Sequence, residues 1–396
     1  MGKNLIVCCD GTGNEIKTNE SNVLKFYRVL KVGDDQVAFY DPGVGTLSDS
    51  DRWSTFKSRF RGVFGLLTGY GLDANILDAY RFLIRHYREG DQVYLFGFSR
   101  GAYTVRVLAG LINVMGVLRP HQEHLSNYAL AAYKRSSEQD DLSIAWRVQE
   151  VLNTPRVTVR FMGCWDTVAS VIVPRLDRLR PLSFETLPFT QRNPCVQVFR
   201  HAMSIDERRC MFRLARWSEP QVFKASPYLK DDQAVPQDCK QVWFAGVHAD
   251  VGGGYPERES AASKFPLAWM VDEARAHGLA FRERLVKRLV FGDTPANTVE
   301  GGPRDYRAPD ACSALHDSMS PSWRALEYWP RRRRFRDYPG SDTDTGLYLP
   351  RAAPRYIAAD AHIDPSVWDR VDRTDYRPPN LPARGSGAGR GPSGPP

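Results

Sequence analysis

Long hydrophobic runs are missing from this sequence: no stretch approaches the roughly 18 unbroken apolar residues that a membrane span requires. Met1-Gly2-Lys3-Asn4 passes straight into a strand-like run, Leu5 to Cys9, without the apolar core and cleavage site of a signal peptide. Export by the general secretory route is therefore not expected, and cytoplasmic synthesis is. Cysteine is scarce and unpaired in pattern, with seven residues and no C-x-x-C. Cys8, Cys9 and Cys164 sit in apolar, strand-like settings, which fits buried thiols in a reducing compartment and argues against a disulfide framework or a zinc site. Also missing are the Lys-Ser/Thr ending of a Walker loop and the third glycine of a dinucleotide fingerprint, so Asp10-Gly11-Thr12-Gly13-Asn14 is not read as a nucleotide site. Neither a metal nor an organic cofactor is expected. No internal repeat is present.

What remains is a chain with 42% hydrophobic and 25% charged residues, long enough at 396 residues to bury a substantial core. A formal charge of +8 suits an acidic partner without demanding one. The densest basic block, Arg331-Arg332-Arg333-Arg334-Phe335-Arg336 beside Tyr328 and Trp329, reads first as a solvated turn and second as a grip for phosphates or headgroups. No nucleic-acid partner is expected.

The pattern along the chain alternates strand and helix. Strands are expected at Leu5 to Cys9, Val37 to Tyr40, Val93 to Phe96, Val157 to Trp165 and Gln241 to Val247. Helices are expected at about Val23 to Leu30 with Asn22 as N-cap, Asp73 to Arg88, from Ala102 to near Gly116, and Ala261 to His277. Such alternation predicts an α/β fold of α/β-hydrolase type, with a mostly parallel central sheet flanked by helices, helical and loop insertions, and a C-terminal extension. The expected division is a catalytic domain over 1–280 with insertions at about 122–151 and 174–240, an extension over 281–376 packed on the same core, and a disordered Pro/Gly/Ser/Arg tail over 377–396.

The most informative motif is Gly97-Phe98-Ser99-Arg100-Gly101, set between an apolar strand and a helix. In a nucleophile elbow the strained turn brings strand and helix backbones too close for a Cβ, which is why glycines flank a serine left exposed at the sheet edge. A serine nucleophile needs a histidine to take its proton and an acid to orient that imidazole. Downstream of Ser99, Asp166 follows Phe161 to Trp165, and His248 follows Val242 to Val247 just before Asp250-Val251-Gly252-Gly253-Gly254-Tyr255. Ser99, Asp166, His248 is also the chain order of a hydrolase triad. Taken alone, Asp166 reads equally as a helix cap or Asx turn. Among the other histidines, His201 ranks next as base, ahead of a helix-like Met203 to Arg209, and His316 also competes. The oxyanion donors are expected to be the Arg100 N–H and the Gly11/Thr12 loop. A stripe of Trp53, Phe56, Phe60 and Phe64 among Lys57, Arg59 and Arg61 reads as a core-facing helix edge or as a lid for transient membrane-surface contact.

With these residues assembled, the chain resembles a family of α/β-hydrolases that includes the catalytic domains of bacterial type VI secretion phospholipase effectors. The resemblance is carried by Cys9-Asp10-Gly11-Thr12-Gly13-Asn14, Gly69-Tyr70-Gly71-Leu72, the serine motif through Tyr103, Trp165-Asp166-Thr167-Val168, His201 to Arg209, and Trp243 to Tyr255. It covers about the first 280 residues and implies the same triad, Ser99, Asp166 and His248. It further implies ester hydrolysis on glycerophospholipids, of phospholipase A type, with export by type VI secretion and a cognate immunity protein or secretion machinery as partners. An intracellular esterase on another ester, or a non-catalytic binding module that keeps the fold, are the alternatives.

Overall fold

The computed structural model describes residues 2–11, 19–43, 71–138, 143–168, 172–174, 182–184, 187–225, 233–293, 305–332 and 347–384. Seven strands form one sheet: β1 (Asn4–Cys9), β2 (Gln36–Asp41), β3 (Gln92–Phe98), β4 (Val159–Trp165), β5 (Val196–Ser204), β6 (Asp238–Phe244) and β7 (His362–Ile363). Every pairing in it is parallel, in the order β7-β6-β5-β4-β3-β1-β2. The expected α/β-hydrolase-like architecture is thus present.

Period-two side-chain alternation explains why β1 is apolar from Leu5 onward. Leu5, Val7 and Cys9 enter one hydrophobic cluster, while Ile6 and Cys8 enter the other on the opposite face. Against the first face pack α2 (Leu72–His86) and α3 (Arg100–Met115), with α4 (Ser126–Glu138) and α5 (Ser143–Leu152) outside them. Against the second pack α1 (Asn22–Val29) and, after the five-residue helix α6 (His248–Gly252), α7 (Lys264–Ala276). Nearly all of α3 is buried, so it lacks the polar stripe that marks a helix at the surface.

Chain order fixes where chemistry belongs. The chain lays down β1, moves outward to β2, then returns to the other side of β1 for β3 and continues through β4 to β7. The order reverses between β1 and β3, and in open α/β sheets the crevice outside the carboxyl ends at such a switch point is where ligands bind. Ser99 stands immediately after β3.

Four local features differ from the sequence pattern. The N-cap of α1 is Ser21, whose hydroxyl accepts from the Leu24 N–H at 3.0 Å, and Asn22 is the first helical residue. Asn22 instead donates to the Val251 and Ser263 carbonyls, bonds that only the tertiary fold supplies. No helix follows His201: residues 196–204 are a buried strand, overlooked because its apolar run is broken by Arg200 and His201. Those two are tolerated because Arg200 is paired with Asp238 and Glu273 and His201 is hydrogen-bonded. Strand β6 covers 238–244, and His248 opens α6 instead of ending a strand. The cysteines do match expectation: all seven are free, and Cys8, Cys9, Cys164 and Cys195 are buried.

The elbow explains its glycines. A Cβ on Gly101 would lie 2.1 Å from the Cys9 carbonyl oxygen, and one on Gly97 would lie 2.5 Å from the Gly101 carbonyl oxygen. Backbone is the obstacle in both cases, so no side chain can swing aside. Gly101→Ala is expected to cost about 3 kcal/mol or more, read as a lower urea midpoint at unchanged m-value.

Candidate active site

Ser99 adopts φ 56° and ψ −120°, a positive-φ conformation unusual for a residue with a side chain. Its N–H still donates to the Trp165 carbonyl at 3.1 Å, and its own carbonyl accepts from Tyr103 at 3.3 Å, so the sheet ladder and the first turn of α3 both end on it. Asp166, directly after the neighbouring strand β4, is a second non-glycine residue at positive φ, 37°. The two residues thus sit side by side at the carboxyl edge, since Phe98 and Trp165 are register partners.

The Asp166 carboxylate is fully buried and heavily bonded. Oδ2 meets His248 Nδ1 at 2.5 Å, and Oδ1 accepts from the Ser204 N–H at 2.9 Å and the Ser204 hydroxyl at 3.1 Å. Arg355 grips it bidentately, Nη1 to Oδ1 at 2.6 Å and Nη2 to Oδ2 at 3.1 Å. Burial by itself would raise the carboxyl pKa, but the Arg355 charge and the His248 hydrogen bond outweigh it and hold Asp166 well below the usual carboxylate range. An ionised carboxylate only accepts, so Nδ1 of His248 carries the hydrogen, and in the neutral ring Nε2 is the acceptor.

The imidazole is clamped between rings. Phe98, the residue before Ser99, lies against it with centroids 4.6 Å apart, and Phe212 meets it edge-on at 5.0 Å. Gly252 makes that approach feasible, because a Cβ there would lie 1.8 Å from the Phe98 ring. Three consecutive amides leading up to the ring each find a carboxylate: Gly246 N–H to Asp206 at 2.7 Å, Val247 N–H to Asp250 at 3.0 Å, and His248 N–H to Glu207 at 3.3 Å. Burial would raise Glu207, yet its hydrogen bond and ion pair with Arg209 bring it below the ordinary value. Asp206 and Asp250 are raised by burial.

Asp166 and His248, expected to act together, are in contact, and the His248 ring packs on the residue preceding Ser99. Among the described residues the Ser99 hydroxyl makes no hydrogen bond to His248; such contacts in unliganded enzymes are often long and tighten when substrate binds. Arg100 is the first residue of α3, directly after Ser99. The Gly11 N–H, expected at the oxyanion, is instead turned back onto Asp10 Oδ1 at 2.6 Å. Thr12, the 53–64 stripe and residues 333–336 of the basic block lie outside the described residues.

The two competing histidines are engaged elsewhere. His201 is buried within β5, where Nε2 accepts from the Thr167 N–H at 3.1 Å; burial first, then the Arg106 charge, lowers its pKa well below the ordinary value. A neutral ring there fixes the residue after Asp166. His316 bonds Asp250 at 2.6 Å and stacks on Tyr255. Sequence reasoning missed Arg355 altogether. Ser204 and Glu207 lie inside the family-like stretch from His201 to Arg209, but nothing local in the sequence marks their roles.

A serine in a strained strand-to-helix turn, on a parallel sheet, with a buried Asp–His pair at the same edge, defines a serine-type ester hydrolase of the α/β class. Within that class, the family model described as the catalytic domain of Tle1-like type VI secretion phospholipase effectors matches residues 3–273, and the chain belongs to that family. It is similar to the uncharacterized Saccharomyces cerevisiae protein YEL023C, 35% identical over 228 residues, which are 54% of this chain and 32% of that protein. The chain therefore spans about a third of that relative's length. Among solved structures it is similar to a Tle1 effector bound to the VgrG spike of the type VI secretion system, with TM-score 0.29, 17% identity, and 66% and 52% of the two chains covered. It is also similar to apo Thermogutta terrifontis esterase 2, with TM-score 0.31, 12% identity, and coverage of 70% and 85%. At such scores the family match, not the superposition, carries the assignment.

Asp166→Asn is expected to destabilise the fold by about 3 kcal/mol at pH 7, because it leaves the partly buried Arg355 without its counter-charge. An acid whose folded pKa lies below its unfolded value stabilises the fold above that unfolded value, about 4, and the contribution is lost as pH falls below it. Urea titrations should therefore show the gap between wild type and variant narrowing below about pH 4.

Proposed function

We propose that this chain hydrolyses carboxylic ester bonds of glycerophospholipids, as a phospholipase A, with Ser99 as nucleophile, His248 as general base and Asp166 as the acid that orients it. The observation that carries the reading is the 2.5 Å contact between Asp166 and His248 Nδ1, with the ring packed on Phe98. That contact leaves Nε2 to accept the Ser99 proton. As the proton moves, the hydroxyl oxygen bonds to the acyl carbon and the carbonyl oxygen becomes an oxyanion, met by the Arg100 N–H at the start of α3. A second donor is drawn from the Gly11/Thr12 loop once the Gly11 amide leaves Asp10. The imidazolium returns its proton to the departing lysophospholipid, and water, activated by the same ring, frees the fatty acid.

The family to which the chain belongs supports the lipid substrate, and with it type VI export, with secretion machinery and an immunity protein as partners. Ser99→Ala is expected to lower turnover by more than about 10³-fold with the thermal melt preserved, and to abolish labelling by a fluorophosphonate probe. Retained turnover would assign the chemistry to another nucleophile. On mixed phospholipid vesicles, mass spectrometry should find free fatty acid and lysophospholipid. Release of phosphorylated headgroups instead would rule out cleavage at the carboxylic ester.

A further inference from the structure

The family match ends at residue 273, yet the four acids gathered at the Asp166–His248 contact are each met by a residue beyond it. Arg355 clamps Asp166 at 2.6 and 3.1 Å. Tyr376 donates its hydroxyl to Asp206 at 2.7 Å, His316 meets Asp250 at 2.6 Å, and Ser318 donates to Glu207 at 3.1 Å. Asp206, Asp250 and Glu207 are the three carboxylates that receive the amides of residues 246–248. The same C-terminal region adds β7 to the sheet and buries Ile357 and Val367 against Met203, Ile205 and Trp243.

We propose that Arg355 is a positioning residue for the hydrolysis: it fixes the plane of the Asp166 carboxylate toward His248 and withholds part of that carboxylate's charge from the ring. The proposal rests on the triad reading above. Its geometric half follows from the fork. Both terminal nitrogens reach Asp166, and both are also tied to protein, Nη1 to the Ser204 hydroxyl and carbonyl at 2.6 and 3.1 Å and Nη2 to the Phe212 carbonyl at 2.8 Å. A planar group held on both sides leaves the carboxylate one orientation, and a lysine, with a single flexible ammonium, does not reproduce it.

The electrostatic half follows from Coulomb's law. An Asp–His pair favours the protonated ring, whereas a cation on the far side of the carboxylate weakens that attraction at short range in a low-dielectric site. The charged groups around His248 are Asp166 from the β4 loop, Asp206, Glu207 and Arg209 from the segment after β5, Asp250 from its own helix, and Arg355. Of the two arginines, Arg209 pairs with Glu207 and stacks on Phe212, so Arg355 is the cation on the triad acid itself.

The test uses the full chain with a short-chain p-nitrophenyl ester, comparing wild type, Arg355→Met, Arg355→Lys and His248→Ala. Arg355→Met is expected to lower kcat about 10²-fold with KM changed less than about threefold, and to move the acid limb of the kcat/KM profile upward by about one pH unit. Arg355→Lys keeps the charge, so it should lose kcat while holding the acid limb near its wild-type position. Because the lysine variant preserves the buried charge balance, it reports even if the methionine variant fails to fold. An unchanged kcat in either variant, or lost activity with an unmoved acid limb in folded Arg355→Met, overturns the proposal. An active His248→Ala would overturn the triad reading beneath it, whereas an inactive His248→Ala beside a fully active arginine variant overturns the Arg355 role alone.

Discussion

A carboxylate removed from water at the carboxyl edge of the sheet is the constraint around which this molecule is arranged. Asp166 is 0% exposed, and an isolated ion there would carry a prohibitive desolvation cost. It stays charged because donors arrive from three separate stretches of chain: the Ser204 backbone and hydroxyl at the end of β5, His248 at α6, and Arg355. Each donor must be delivered by an element whose position is itself fixed by packing. Strand β5 lies beside β4, α6 rests on Phe98 through Gly252, and Arg355 comes from a region anchored by β7 and by Ile357. Satisfying one buried charge therefore ties together segments separated by 189 residues of chain.

The same requirement repeats in the turn before His248. Glycine at 246 takes φ 104°, and the three amides at this bend point at carboxylates in place of backbone carbonyls. Three more acids near one imidazole would, left alone, favour a charged ring and repel one another. Arg209 and Ser318 face Glu207, Tyr376 faces Asp206, and His316 faces Asp250. Each acid therefore has a donor facing it, a permanent counter-charge for Glu207 in Arg209 and a side-chain hydrogen bond for Asp206 and Asp250.

How much of this was legible in the amino-acid pattern depends on whether the controlling contact was local. The elbow was legible because its cause is local: Gly97 and Gly101 stand where strand and helix backbones touch, and strand and helix periodicities flank them. Strand β1 and helix α2 were legible for the same reason. Strand β5 was not, since Arg200 and His201 interrupt its apolar run and only their distant partners, Asp238, Glu273 and the Thr167 amide, make them acceptable inside a sheet. Asn22 was misread as a cap because its side chain is committed to α6 and to the start of α7, more than 200 residues away in the chain. Arg355 was invisible on principle. It lies in a stretch rich in Pro, Arg and aromatic residues with no periodicity, and nothing near it in the chain marks it as different from the arginines around it.

The order of the strands explains why the proposed base needs such support. In this sheet β5 and β4 separate β6 from β3, so the loop carrying His248 must reach back across two strand positions to lie over the serine edge. A loop reaching that far has little sheet of its own to rest on, and α6 is only five residues long. Packing against Phe98 fixes one face of the imidazole and Phe212 one edge. The remaining freedom, tilt about the Nδ1–carboxylate axis, is removed only if the carboxylate itself cannot rotate. Positioning of the imidazole is thus decided at Asp166, and the orientation of Asp166 is decided by the groups on its other side, Ser204 and Arg355.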